Sequence, residues 1–130
     1  TESASPISER LTKIFQNLKA VFDEQRPDVM VLEKIFTHAK HPATAILMSH
    51  ARGVICLCAG VANTPLVNIP STRVKKAVVG YGHANKEQVA EAVYRALSIK
   101  PKKKNPADVT DALAVAIAYA SINSREQIIK

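Results

Sequence analysis

Apolar residues recur through residues 7–25, "ISERLTKIFQNLKAVFDEQ", at Ile7, Leu11, Ile14, Phe15, Leu18, Val21 and Phe22. Spacings of three and four predict an amphipathic helix. Pro6 precedes it, and Arg26, Pro27 and Asp28 end it. "VMVLE", residues 29–33, is a short apolar run that ends in an acid. A strand buried on both faces has this pattern. A second helix is expected after His41, with Pro42 suited to its first turn, running to about Ala62. "PLVNI", residues 65–69, predicts a second strand, and residues 71–77 a short helix. "VVGYGHANK", with Gly80 and Gly82, predicts a loop. Residues 86–97 carry Val89, Val93 and Leu97 at helical spacing. The basic loop "SIKPKKKNP" follows, and Pro106 leads into a last helix over about 107–122.

Strands that alternate with helices predict parallel pairing, with helices on the faces of the sheet. Sheets usually carry about four to six strands. So apolar a chain with only two strands implies that part of the sheet comes from outside this sequence or from another chain. The longest weakly charged run, "PATAILMSHARGVICLCAGVANTPLV", is broken by His50, Arg52, Gly53 and Gly60. It is expected to be a buried helix rather than a membrane span.

Composition changes this picture in three ways. A length of 130 residues, 47% hydrophobic and 22% charged, fits one soluble globular domain with a real core. The formal net charge of +7 points to an anionic partner, nucleic acid first and an anionic membrane surface second. Cys56 and Cys58, two apart in an apolar run, cannot meet across a helix and match no zinc spacing. They are expected to be buried thiols of a reducing, cytoplasmic protein. His38, His41, His50 and His83 complete no recognised metal set either. The first residues, "TESASPISERL", contain no secretory signal and no initiator methionine, so a processed or truncated chain is expected.

Candidate chemistry centres on three acids. Glu33 ends the first predicted strand, and ligand sites in open α/β sheets gather beyond that edge. Asp108 and Asp111 open the last helix and share a face. Each has a purely structural alternative: a solvated strand end for Glu33, a cap or dipole partner for the aspartates. If the last helix packs beside the first strand, the three carboxylates converge. They would then suit Mg²⁺, and a pair of such ions supports phosphodiester cleavage. "KPKKK", residues 100–104, is either a solvated loop or a phosphate-tracking element just before the acids. Gly80 and Gly82 do not complete a Walker loop. Tyr81 between them is either a base-stacking or a turn aromatic.

Together, "DVMVLEKIF", "SHARGVICLCAGVA", "STRVKKAVVGYGHANKEQV" and "NPADVTDALAVAIAYA" resemble, in order and spacing, the RuvC family of Holliday-junction resolvases. The likeness runs from about Ile7 to Ser121. It implies an RNase H-like α/β fold with a mixed sheet flanked by helices. It also implies a homodimer and Mg²⁺-dependent endonuclease activity, two ions per site, that resolves four-way DNA junctions by symmetric nicks in recombination and repair. A branch-migration helicase is the kind of partner the family uses. By this match Glu33, Asp108 and Asp111 are the catalytic, metal-binding acids. Phe36 matches an aromatic that meets bases near the crossover, and Lys75, Lys76 and Lys86 match basic positions near DNA. Arg73, Tyr81, Lys102, Lys103 and Lys104 join this expected DNA face. The helix from Ala43 to Ala62, with small residues at Ala43, Ala45, Ser49, Gly53 and Ala59, is the expected dimer contact.

The likeness is incomplete at one place. Members of the family begin with a three-stranded antiparallel meander whose first strand carries another essential aspartate, and no residue here matches it. Residues 1–130 are therefore expected to form a single RuvC-type domain without its N-terminal strands, cutting DNA feebly or not at all. The rival expectations are a catalytically inactive, dimeric junction-binding protein and a non-nuclease relative acting on another phosphodiester.

Overall fold

A computed structural model of the chain describes residues 5–34, 41–100 and 107–129, with side chains described as far as 125. The elements are α1 (Ile7–Gln25), β1 (Met30–Lys34), α2 (Pro42–Val61), β2 (Leu66–Pro70), α3 (Ser71–Val79), α4 (Lys86–Leu97) and α5 (Ala107–Ile129). Their order is the order expected from the apolar spacing. Two boundaries differ by more than one residue. α5 continues past 122 to Ile129, because "SINSREQII" offers neither proline nor glycine to stop it. α3 absorbs Val78 and Val79, and the turn starts at Gly80, whose φ of 93° lies in the left-handed region that glycine adopts without strain. β1 and β2 pair in a two-stranded parallel sheet.

The chain divides into two compact units: Thr1–Met30 with Phe36–Val67, and Val31–Ile35 with Asn68–Lys130. In the first, α1 packs on α2. Its core is small: Phe22, Cys58 and Ala59, backed by Phe15, Leu18, Met30 and Leu66. The Cys58 thiol points at the Phe15 carbonyl, 3.9 Å away.

Two expectations are corrected in this unit. α2 is not a buried helix. Its large side chains are well exposed, Ile46 and Val61 each at 60% and Leu57 at 56%. A helix apolar on most of its surface needs cover on several sides, and within this unit α1 covers one. Nor are both thiols buried: Cys58 is, and Cys56 is exposed. Residues two apart lie about 200° apart round a helix, so one-sided cover shelters only one of them.

In the second unit α3, α4 and α5 all pack against one another. Val74, Val89, Val93, Ala114, Val115 and Ala118 are buried among them, with Ile69 and Ala84. Val93 and Ala118 are fully enclosed. The alanines at i and i+4 on α5 let the helices approach closely. α4 begins with a capping box: the Gln88 backbone N–H donates to the Asn85 side chain at 2.8 Å, and the Asn85 backbone N–H donates to Gln88 Oε1 at 2.9 Å. On α5 the hydroxyl of Thr110, a buried polar residue, donates to the Ala107 carbonyl at 2.9 Å. The first turn is thus held on its inner side, while Asp108 and Asp111 stay exposed.

Candidate functional site

The second unit gathers its chemistry in one small pocket of about 120 Å³, lined by Glu33, Ser71, Val74, Lys75, Lys86, Val89, Asp111 and Ala114. Each element delivers its share through simple periodicity. β1 ends in Glu33 and Lys34, both exposed, after three half-buried residues. β2 runs straight into α3, whose Ser71, Val74 and Lys75 are related by i, i+3 and i+4. α4 adds Lys86 and Val89, again three apart, and α5 adds Asp111 and Ala114. In each helix a buried apolar residue, Val74, Val89 or Ala114, forms the floor. The polar partner one turn away stands at the mouth. The core of the unit therefore fixes where two carboxylates and two ammonium groups sit.

Such a set has definite capacities. Paired carboxylates offer oxygen donors to a hard cation, and Mg²⁺ is held by one or two carboxylates plus water and substrate phosphate. The residues present fit one such ion. Lysines cannot ligate it, but as point charges they suit phosphate.

The remaining sequence-predicted residues divide into three groups. Asp108 lies in the first turn of α5, exposed and three residues before Asp111, and does not line the pocket. Among the described residues no group of three or more His, Cys, Asp and Glu side chains is placed to hold a metal ion. Arg73 and Lys76 line a different cavity, with Ala77, Ile122 and Arg125. Tyr81 is 57% exposed, its ring edge-on to His83 with centroids 5.8 Å apart. Phe36, Lys102, Lys103 and Lys104 lie outside the described residues. Ser71 and Arg125 are absent from the sequence-based set. Ser71 was legible in principle, standing one turn before Lys75 on the same face; Arg125 carried no such signal.

The model of the family described as "Crossover junction endodeoxyribonuclease RuvC" matches residues 1–119. The chain belongs to the RuvC family. The RuvC of Rhodopirellula baltica is 43% identical over 123 residues, which cover 93% of this chain and 68% of that protein. The RuvC of Brevibacillus brevis is 40% identical, over 95% of this chain and 74% of its own length. The structure resembles that of Thermus thermophilus RuvC with a TM-score of 0.87 at 29% identity, covering 97% of this chain and 75% of the other. It resembles T. thermophilus RuvC in complex with Holliday junction substrate with a TM-score of 0.85 at 30% identity. The fold is thus the RNase H-like α/β fold of RuvC, as the sequence motifs implied. Within it the pocket takes one acid from the end of β1 and one from the start of α5.

Proposed function

We propose that this chain is a crossover junction endodeoxyribonuclease, nicking four-way DNA junctions symmetrically in recombination and repair. The observation that carries this reading is the pocket joining Glu33 and Asp111 to Lys75 and Lys86, in a fold that resembles RuvC with its junction substrate. Lys75 and Lys86 draw a phosphate of the cleaved strand to the pocket mouth and hold it by charge. Glu33 and Asp111, with Asp108 one turn earlier on α5, are the oxygen donors for Mg²⁺, whose contribution when bound is an activated water and a stabilised leaving oxygen. Ser71 adds a hydroxyl at the same pocket.

A dimer is part of the proposal. The exposed apolar side chains of α2, Ile46, Leu47, Met48 and Leu57, are the surface we assign to it. A twofold pair presents two sites to a twofold-symmetric junction. A branch-migration helicase is the expected partner in the cell. The free thiols Cys56 and Cys58 favour a cytoplasmic setting.

The inactive, junction-binding alternative has one observation in its favour: the pocket unites two acids, not three. Three carboxylates carry at most three negative charges, against four positive ones on a pair of divalent ions. We therefore expect a second ion to need one more carboxylate than these three, and the three alone to support only weak nicking.

The test uses the full natural protein and a labelled mobile four-way junction in Mg²⁺. Paired symmetric nicks, a preference for the junction over linear duplex, and affinity that falls steeply with salt are expected. Binding without nicking selects the inactive reading. Absence of junction preference overturns both.

A further inference from the structure

A second cavity, of about 410 Å³, lies between α3 and the C-terminal half of α5. It is lined by Arg73, Lys76 and Arg125 around Ala77 and Ile122, and no carboxylate is among these residues. We infer that this cavity is a docking site for an acidic peptide segment of a partner protein, one that carries an aliphatic anchor beside its carboxylates.

Position separates it from the acid pocket. On α3, Arg73, Lys76 and Ala77 form an i, i+3, i+4 set centred roughly 160° round the helix from Ser71, Val74 and Lys75. On α5, Ile122 lies eleven residues beyond Asp111, about 16 Å along the axis. A DNA strand held at the acid pocket by Lys75 and Lys86 faces the opposite side of α3.

The chemistry points the same way. Lys76 and Arg125 are exposed, while Ala77 and Ile122 are half-buried. Long cationic side chains lay their alkyl stems over such a floor and keep their charged heads at its rim. A sugar–phosphate backbone is drawn to the heads but gains nothing from the floor. An acidic segment with an aliphatic side chain uses both: carboxylates on the cations, with arginine able to bind one through two parallel hydrogen bonds, and the anchor on Ala77 and Ile122. Removing that anchor and floor from water adds the non-directional part of the affinity.

The experiment uses the full natural protein and a fluorescein-labelled hexapeptide of four aspartates followed by two leucines, read by anisotropy. Saturable binding is expected. Arg125→Glu should weaken it about five- to tenfold, and Arg125→Lys should keep most of it. Ile122→Ser, or serines in place of the peptide's leucines, should weaken it about fivefold. Junction nicking by the Arg125→Glu and Ile122→Ser proteins should stay at the wild-type rate, which also establishes that both fold. No saturation up to millimolar peptide, or equal binding by Arg125→Glu, overturns the inference. So does an Arg125→Glu protein that loses junction affinity while its peptide binding is unmoved, since the cavity would then belong to the DNA path. Failure of the nuclease reading would leave the peptide titration readable by itself.

Discussion

α2 and α5 are the two long apolar helices of this chain, and they are used in opposite ways. α5 turns Ala114, Val115 and Ala118 inward, and α3 and α4 close over them. α2 has the larger aliphatic residues and leaves most of them exposed, with burial confined to Cys58 and Ala59 near its end. Hydropathy alone would rank them the other way. Apolar residues make a helix seek cover, but the amount it finds depends on how many neighbours its own unit supplies. Small residues such as Ala114 and Ala118 admit two neighbours at close range, so a modest apolar stripe becomes a full core. Bulky residues spread round α2 demand more cover than α1 provides, and we assign the remainder to an interface.

The largest effect should come from the unit that carries α2. Phe22 is the one large buried side chain there among the described residues. Phe22→Ala should cost about 3–4 kcal/mol in denaturant unfolding. Val93→Ala, in the better-packed second unit, should cost about 2 kcal/mol. Equal losses would mean that the two cores are equally redundant.

Next come the acids on the other side of the comparison. Glu33→Gln and Asp111→Asn should each lower the nicking rate about a hundredfold or more, with junction affinity nearly kept. Asp108→Asn should be the milder variant if its place outside the pocket persists with DNA bound. Wild-type rates in all three would reduce these residues to strand-end and helix-cap roles.

A smaller effect probes close approach directly. Ala118→Leu should destabilise by about 2 kcal/mol, because the enclosed site has no room for the added volume. Gly53→Ala on α2 meets nothing within 4 Å, so it should stabilise the protomer by about 0.5–1 kcal/mol through helix propensity. If that variant instead lowers the mass seen in sedimentation, Gly53 lies in the dimer contact.

The smallest test is chemical. Burial pushes the Cys58 thiol above its ordinary pKa, and the thiolate is the reactive form. Iodoacetamide should modify Cys56 first, with Cys58 following only on unfolding. Equal rates would show that the α1–α2 packing opens readily.

Much of this was legible in advance because it is local. The three-and-four spacing of Ile7 to Phe22, that of Val89, Val93 and Leu97, and Pro42 in the first turn of α2 each act within a turn or two of backbone, so seven elements were readable in order. The acids Glu33 and Asp111 were legible through motif and position, since a strand end and a helix start are landmarks of the sequence itself. Burial was not local. Cys56 and Cys58 look alike in the chain, and only the side on which α1 lies distinguishes them.

The sequence by itself determined the helices, the two strands and the family, and singled out the acids of the candidate site, because those rest on residue identity and spacing along the chain. Tertiary structure alone decided the rest. It brought Glu33 and Asp111 to one pocket with Lys75 and Lys86 and left Asp108 outside its lining. It turned Arg73 and Lys76 towards Arg125 instead, on another face of α3. The physical reason is that basic residues one or two positions apart have the same charge in any sequence list. Helical rotation and the neighbours packed on each face determine which of them meets the acids.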